Sequence, residues 1–489
     1  MTSRRIRRAG LVPAALLLSL GTLVSAAPAH GAAASPRTAS AQHSVSAQQS
    51  ASARQGTFAP ASASRHGEER RVLRALERAA HPLRSTGPYG DTRDLRALSR
   101  AVGDARVVGL GEATHGSREF LTMKHRVFRH LVAEKGFRTF SLEAPWSTGT
   151  RLNDYVLHGK GDPRRIMDEE FRGVYKLMDK AEYLELFAWM RAHNRSHPHD
   201  PVRFMGNDVG HAGPEAYDRV TRYVAEAHPR LLPRVTELYR GLRTATSPGT
   251  DMDEYPALPL AERRERAERT GRVLALLEGL PAGSGDAADR RARALAVQHA
   301  RVIDQMTRLY AFDLADSEQI AAAMRYRDRV MAGNVAWWQR HTGDKILLSA
   351  HNTHVAYDSF DPAYPKTQGA FLRDRFGPHY VSIGFTFDRG SFRGFDSEAG
   401  PTAPEETFAV GAARPGGNEY LLDRVRHRDY LVDLRTAPAP ARAWLAEPRP
   451  TRNIGAGWPV PEQDIALGGA HDVLVHLHRV TAATPLPAT

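Results

Sequence analysis

Four short apolar runs in this chain each stop at a carboxylate or a histidine, and few architectures accommodate that pattern. Ala105–Leu110 is followed by Gly111-Glu112-Ala113-Thr114-His115-Gly116, and Phe137–Leu142 by Glu143-Ala144-Pro145-Trp146. Val202–Met205 is followed by Gly206-Asn207-Asp208, and Lys345–Ala350 by His351-Asn352-Thr353-His354. Short apolar runs without polar alternation suit strands buried on both faces. In an open α/β sheet, ligands bind beyond the carboxyl ends of the parallel strands. If the four runs are neighbouring strands, Glu112, His115, Glu143, Asp208, His351 and His354 meet in one crevice.

The segments between the runs support that arrangement. Phe120, Met123, Val127, Phe128 and Leu131 recur at helical spacing between the first two runs, and Gly136 ends the helix. A strand, helix, strand order of this kind implies a parallel pair. From about residue 214 to 341 the pattern is charged and helical, with breaks at Ser247-Pro248-Gly249 and Pro281-Ala282-Gly283. Strand character returns at Lys345–Ala350, His379–Phe387, Tyr430–Leu434 and Asp472–Val480. The expected fold is α/β, with a mostly parallel central sheet, flanking helices and a large helical insertion over about 214–341.

The N-terminus belongs to none of this. Arg4, Arg5, Arg7 and Arg8 precede an apolar stretch, Leu11–Ala27, and small residues follow, as in an export signal over residues 1–32. Ser3-Arg4-Arg5 also permits twin-arginine export. The stretch is short of the roughly 20 apolar residues of a membrane span, so no stable membrane insertion is expected once the signal is removed. Residues 33–66 are Ala, Ser, Gln and Thr with few large apolar side chains, a composition that reads as a disordered linker. An amphipathic helix is expected at Glu68–Ala80, opening the domain at 67–489. The expected location is secreted or cell-surface.

The formal net charge of +12 invites a nucleic-acid reading, but seven arginines and no acidic residue lie within residues 1–66. The remainder has 60 basic residues against 55 acidic, interleaved as on a solvated surface. No basic stripe or RNA-binding motif appears, so nucleic acid is excluded as a partner. The chain has no cysteine, which removes thiol nucleophiles and cysteine-ligated metals and leaves the fold to its own core.

Each candidate has a bland reading. Glu112 and His115 share one strand-to-helix turn among small residues, where free N–H groups at the helix start suit a developing oxyanion. Ser117 there is equally a plain N-cap. Lys124 is a charge on the apolar stripe of the following helix; it either snorkels to solvent or reaches a crevice carboxylate. Glu143 and Asp208 end strands, where acids often only cap the next helix. His351 and His354 share a side if a helical turn follows the strand. His193, His197, His199 and His211 lack such context. The Arg325–Arg329 cluster is mostly a solvated face, yet Arg327 lies near the apolar stripe and is placed to turn inward.

No G-x-S-x-G elbow, H-E-x-x-H or P-loop occurs, and Gly109-Leu110-Gly111 is an incomplete dinucleotide fingerprint with Thr114 at its third position. The run Gly111–Phe120, however, resembles the opening signature of the erythromycin esterase family. Leu142-Glu143-Ala144, Gly206-Asn207-Asp208, Arg327-Asp328 with Met331 and Asn334, Ala350–His354 and the final strand at Asp472–Val480 are similar too. The resemblance spans about residues 68–485. It implies an α/β fold with helical additions and hydrolysis of an ester, the macrolactone of erythromycin-type antibiotics in drug-inactivating members, by a histidine base and a water. By position, His115 would be that base, with Glu112, Glu143, His351 and His354 as its companions. Lys124 stands where the family leads one to expect an arginine.

The expected activity is therefore a carboxylic ester hydrolase acting on a small-molecule ester or macrolactone, with catalytic His115, Glu112, Glu143, His351 and His354. Lys124, Asp208 and Arg327 are the expected substrate-binding residues, and no metal or cofactor is called for. Two rivals remain at this stage. The same Glu and His residues form an adequate N/O ligand set for zinc or manganese. A non-catalytic surface or carbohydrate-binding protein could also keep the fold, because fold alone does not fix function.

Overall fold

A computed structural model describes residues 61–243, 248–280, 286–361, 364–399 and 403–487. The expected signal and most of the expected linker, residues 1–60, lie outside them. The first described helix runs Ala61–Ala79, so it begins inside the stretch read as linker. Its apolar face, Val72, Ala75 and Leu76, packs with Leu422, Tyr430, Val432 and Leu445.

The strands in chain order are β1 His81–Pro82, β2 Val107–Leu110, β3 Phe137–Pro145, β4 Arg203–Asp208, β5 Lys345–Ser349 and β6 Tyr380–Asp396. They continue with β7 Glu405–Val410, β8 Tyr430–Asp433, β9 Arg449–Thr451, β10 Gly457–Trp458, β11 Gln463–Ile465 and β12 Val473–Val480. The main sheet has the order β1-β8-β12-β6-β2-β5-β3-β4, with β7 and β10 also pairing with β6. From β12 to β4 every neighbouring pair is parallel. The antiparallel pairs are β1 with β8, β8 with β12, and β7 with β6.

The four runs singled out in the sequence are β2, β5, β3 and β4, and they are consecutive in the sheet. Gly109 pairs with Leu348, and Leu142 with both Ser349 and Gly206, so their carboxyl ends finish level. The sheet is covered on both faces, which is why its strands are apolar throughout. Val108, Leu110, Phe140, Leu142 and Leu347 pack in one core with Phe120, Met123 and Phe128 of the helix Arg118–Lys135. Val107, Ile346, Leu348 and Met205 face the other way, onto Ala332, Val335 and Trp338 of the helix Ser317–Thr342.

The insertion lies between β4 and β5. Its helices are Pro214–Ala227, Leu232–Tyr239, Pro248–Ala257, Leu260–Glu278, Ala287–Tyr310 and Ser317–Thr342. They enclose an apolar core of their own that includes Tyr217, Val220, Val235, Val273, Ile303 and Tyr310. The last of them returns to the sheet, so one helix serves both cores. Among the described residues, no helix is long and apolar enough to cross a membrane.

Candidate active site

The turn after β2 is built by close approach. A Cβ on Gly111 would lie 2.2 Å from Asn352 Oδ1, so only glycine lets the turn after β5 come this near. The contact is fixed by the Asn352 N–H donating to the Glu112 carbonyl at 2.9 Å. On the other side, the His115 N–H donates to Gly455 O at 3.0 Å, and Ala113 O accepts the Ile454 and Gly455 N–H groups. The loop between β9 and β10 thus forms a wall of the site, a feature with no local signal in the sequence. The helix that follows starts at Arg118, but its first N–H is taken by Thr481 O at 2.8 Å. That N–H is therefore not offered to a ligand. The Ser117 side chain makes no capping bond and pairs instead with Thr114 Oγ1 at 2.6 Å.

Glu112 divides its two oxygens. Oε1 meets His115 Nδ1 at 2.6 Å, and Oε2 accepts from Lys124 Nζ at 2.5 Å. Lys124 therefore reaches a crevice carboxylate and does not snorkel. Its side chain is 1 % exposed. Burial lowers its pKa, and the Glu112 and Glu143 carboxylates oppose that pull. Because Nδ1 of His115 is engaged by a carboxylate, that nitrogen carries the proton and Nε2 is the basic one. His115 keeps 12 % of its side chain exposed, beside buried Glu112.

Glu143 ends β3 and is bonded on both oxygens. Oε2 accepts the His351 N–H at 3.0 Å; Oε1 lies 3.1 Å from Arg327 Nη2 and 3.2 Å from His354 Nε2. Burial would raise its pKa, but His354, Arg327 and His115 hold it well below the usual carboxylate value. Asp208 takes Arg327 as a fork, with Nε at 3.0 Å and Nη2 at 2.6 Å, and also accepts from Tyr175 at 2.9 Å. Arg327 does turn inward, and Asp208 and Glu143 together raise its pKa against the pull of burial.

The two histidines after β5 have different surroundings. His351 is the N-cap of the short helix Asn352–Val355; the Thr353 N–H points at its Nδ1 at 3.4 Å. That leaves the ring proton on Nε2, a buried atom with no hydrogen-bond partner. Burial and then His115 push its pKa well below 6.5, so the ring is neutral. The His115 and His351 rings are 5.4 Å apart. His354 lies deeper, with Nδ1 at 2.9 Å from Asp328 Oδ1. Burial would lower its pKa, but Asp328 and Glu143 outweigh it and hold the value at about 10. The ring is held as an imidazolium, with Nε2 3.2 Å from both Glu143 Oε1 and Arg327 Nη1. The two histidines share a turn, but only His351 stands next to His115.

All eight residues expected from the sequence lie in one cluster at the carboxyl ends of β2 to β5. Tyr175 and the Gly455 wall have no place in the sequence expectation, and Asp328 enters it only through the Arg327-Asp328 resemblance, without a role. Asp328 adjoins Arg327 on a helix whose inward face was only half read; the 3₁₀ turn that carries Tyr175 has no periodicity to read. The carboxylates here already have fixed partners, Lys124 for Glu112 and Arg327 for Glu143 and Asp208. Among the described residues, the cluster of three ligand groups compact enough for a cation is elsewhere, at Asp388, Asp423 and His478. Arg389 Nε already sits 2.6 Å from Asp388 there.

The profile of the erythromycin esterase family matches residues 132–480, beginning near the end of the helix Arg118–Lys135, so Glu112, His115 and Lys124 precede the matched stretch. An Escherichia coli relative, erythromycin esterase type II, is 24 % identical over 62 % of this chain and 74 % of its own length. YbfO of Bacillus subtilis, described as a hydrolase, is 23 % identical over 86 % of this chain and 94 % of its own. A Bacillus cereus protein of known crystal structure superimposes with a TM-score of 0.77 and 30 % identity, covering 86 % of this chain and 99 % of that one. The open form of a histidine-to-asparagine mutant of the erythromycin esterase EreC gives a TM-score of 0.62 at 18 % identity, covering 83 % and 98 %. This chain is a member of the erythromycin esterase family, with its α/β fold and the character of an ester hydrolase.

Proposed function

We propose that the protein hydrolyses a small-molecule carboxylic ester or macrolactone with a water activated by His115. The observation that carries the proposal is the Lys124, Glu112, His115 chain: a buried ammonium fixes the carboxylate, and the carboxylate fixes the imidazole with Nε2 free. Nε2 takes a proton from water as the oxygen attacks the ester carbonyl. The Nε2–H of neutral His351 beside it bonds the developing oxyanion. Collapse of the tetrahedral intermediate breaks the acyl C–O bond, and the proton on His115 passes to the leaving alkoxide. The products are an acid and an alcohol.

In this scheme Glu143 and His354 hold His351 in place, and Arg327 and Asp208 brace Glu143. Lys124, Asp208 and Arg327 then act through other side chains and not by touching substrate. We further propose export, on the arginine-led apolar stretch near the N-terminus. Sequencing the N-terminus of protein recovered from culture medium tests that point.

The reaction is tested by incubating the protein with macrolides and simple esters and looking for a mass gain of one water. Turnover that survives exhaustive chelation is expected. Loss on chelation with recovery on adding zinc or manganese would reassign the Glu and His residues as ligands. No mass gain across the panel would remove the hydrolase proposal.

A further inference from the structure

The helix Ser317–Thr342 presents Arg327 and Asp328 to the active site, and at 3.6 residues per turn its opposite face carries Arg329, Val330, Gly333, Trp337 and Arg340. That face lines a groove of about 590 Å³, closed by the helix Ala287–Tyr310 and by Arg375 of the helix Gln368–Phe376. The volume falls in the range typical of small-molecule sites. None of its lining residues belongs to the His115 cluster.

The charge of the groove is one-sided. Arg293, Arg301, Arg329, Arg340 and Arg375 line it, against the single acid Glu278. Two of the arginines are spent on structure: Arg301 pairs with Glu278 at 2.7 Å, and Arg293 donates to Leu280 O at 2.6 Å. Arg329 rests on the Tyr326 ring, and neither it nor Arg340 or Arg375 has a carboxylate or hydrogen-bond partner among the described residues. A concave site lined by one sign of charge focuses its field on a counter-ion, and guanidinium forks match phosphate and carboxylate oxygens.

Gly333 is the second, independent sign. It sits inside the helix, where glycine costs about 1 kcal/mol relative to alanine. A Cβ there would meet nothing within 4 Å. Packing does not demand glycine; its effect is to keep the middle of the groove open, between Arg329 and Trp337. The floor beneath is an amide network that stays mutually satisfied, with Gln298 Nε2 and Gln305 Nε2 both donating to Asn334 Oδ1.

We propose that this groove binds a small polyanion, a molecule with two or more phosphate or carboxylate groups, held by Arg329, Arg340 and Arg375 against Trp337.

Titration calorimetry of the full chain with pyrophosphate and, separately, with citrate tests this and tells the two anion chemistries apart. One-to-one binding of at least one is expected, weakening as salt rises. The double variant Arg340→Gln/Arg375→Gln should bind at least tenfold more weakly, with ester turnover unchanged. Gly333→Ala should melt at the same or a higher temperature than the parent and yet bind more weakly, because the methyl enters the groove; Gly333→Leu should abolish binding. Absence of binding by both anions, or equal binding by parent and double variant, would overturn the proposal. So would tighter and more salt-sensitive binding of a single-stranded oligonucleotide, which would make the groove part of a macromolecular interface.

Discussion

Lys124 Nζ lies 2.5 Å from Glu112 Oε2, both side chains 1 % exposed, while the other oxygen of Glu112 holds His115. A desolvated ion pair of this kind adds little net stability, but removing one partner strands the other charge, which typically costs about 3–5 kcal/mol. Lys124→Met should therefore lower the urea midpoint strongly, and Lys124→Met/Glu112→Gln should recover part of the loss. If the single variant unfolds like the parent, the pair is not the brace described here.

His115→Ala should behave in the opposite way. The side chain is on a partly exposed turn and contributes little core. Its melting temperature should stay close to that of the parent, while kcat/KM falls by about 100- to 10,000-fold, the usual contribution of a general base. Retention of most of the activity would take His115 out of the mechanism.

Arg327 answers to two buried acids, Asp208 and Glu143. Arg327→Lys keeps the charge but loses the fork, so it should be clearly destabilised and poorly active. Arg327→Met should be worse, leaving two carboxylates without their guanidinium. Chemical denaturation of both variants gives the order; a lysine variant as stable as the parent would show that charge alone suffices.

The pH dependence of stability carries a sign that can be worked out for His354. Its folded pKa of about 10 lies above the unfolded value of 6.5. The stabilisation it brings is fully present below pH 6.5 and is lost as pH rises through about 10. Glu143, held low, works from the other side: its contribution is present above its ordinary value of 4.5 and is lost as pH falls further. Replacing His354 with Asn should flatten the alkaline limb of stability against pH. NMR of the imidazole should find the ring protonated at pH 8, and a neutral ring there would contradict the Asp328 and Glu143 assignment.

What could be read from the sequence followed the physics that writes it there. Strands β2 to β5 announce themselves because burial on both faces demands unbroken apolar residues, and their polar ends stand out by contrast. The extension of β6 to Asp396 and its pairing with β7 were not legible, since β7 is half exposed and its pattern is mixed. Lys124 was flagged as a charge on an apolar stripe, but its direction is decided by Glu112, a tertiary partner. Gly455 shows the limit best: its role is to let a distant loop reach Ala113 and His115, and no periodicity or motif carries that information.

The wall formed by Gly455 also sets an order on how the His115 turn can be assembled. His115 is set by a loop some 340 positions further along the chain, and the segment after β12, Thr481 to Ala483, that closes over the start of its helix comes later still. A ribosome releases these segments long after it releases His115. A nascent chain thus carries Glu112, His115 and Lys124 long before the loop that holds their turn in register exists. The order of synthesis and the order of assembly therefore run opposite ways at this site: the turn is made early and braced late.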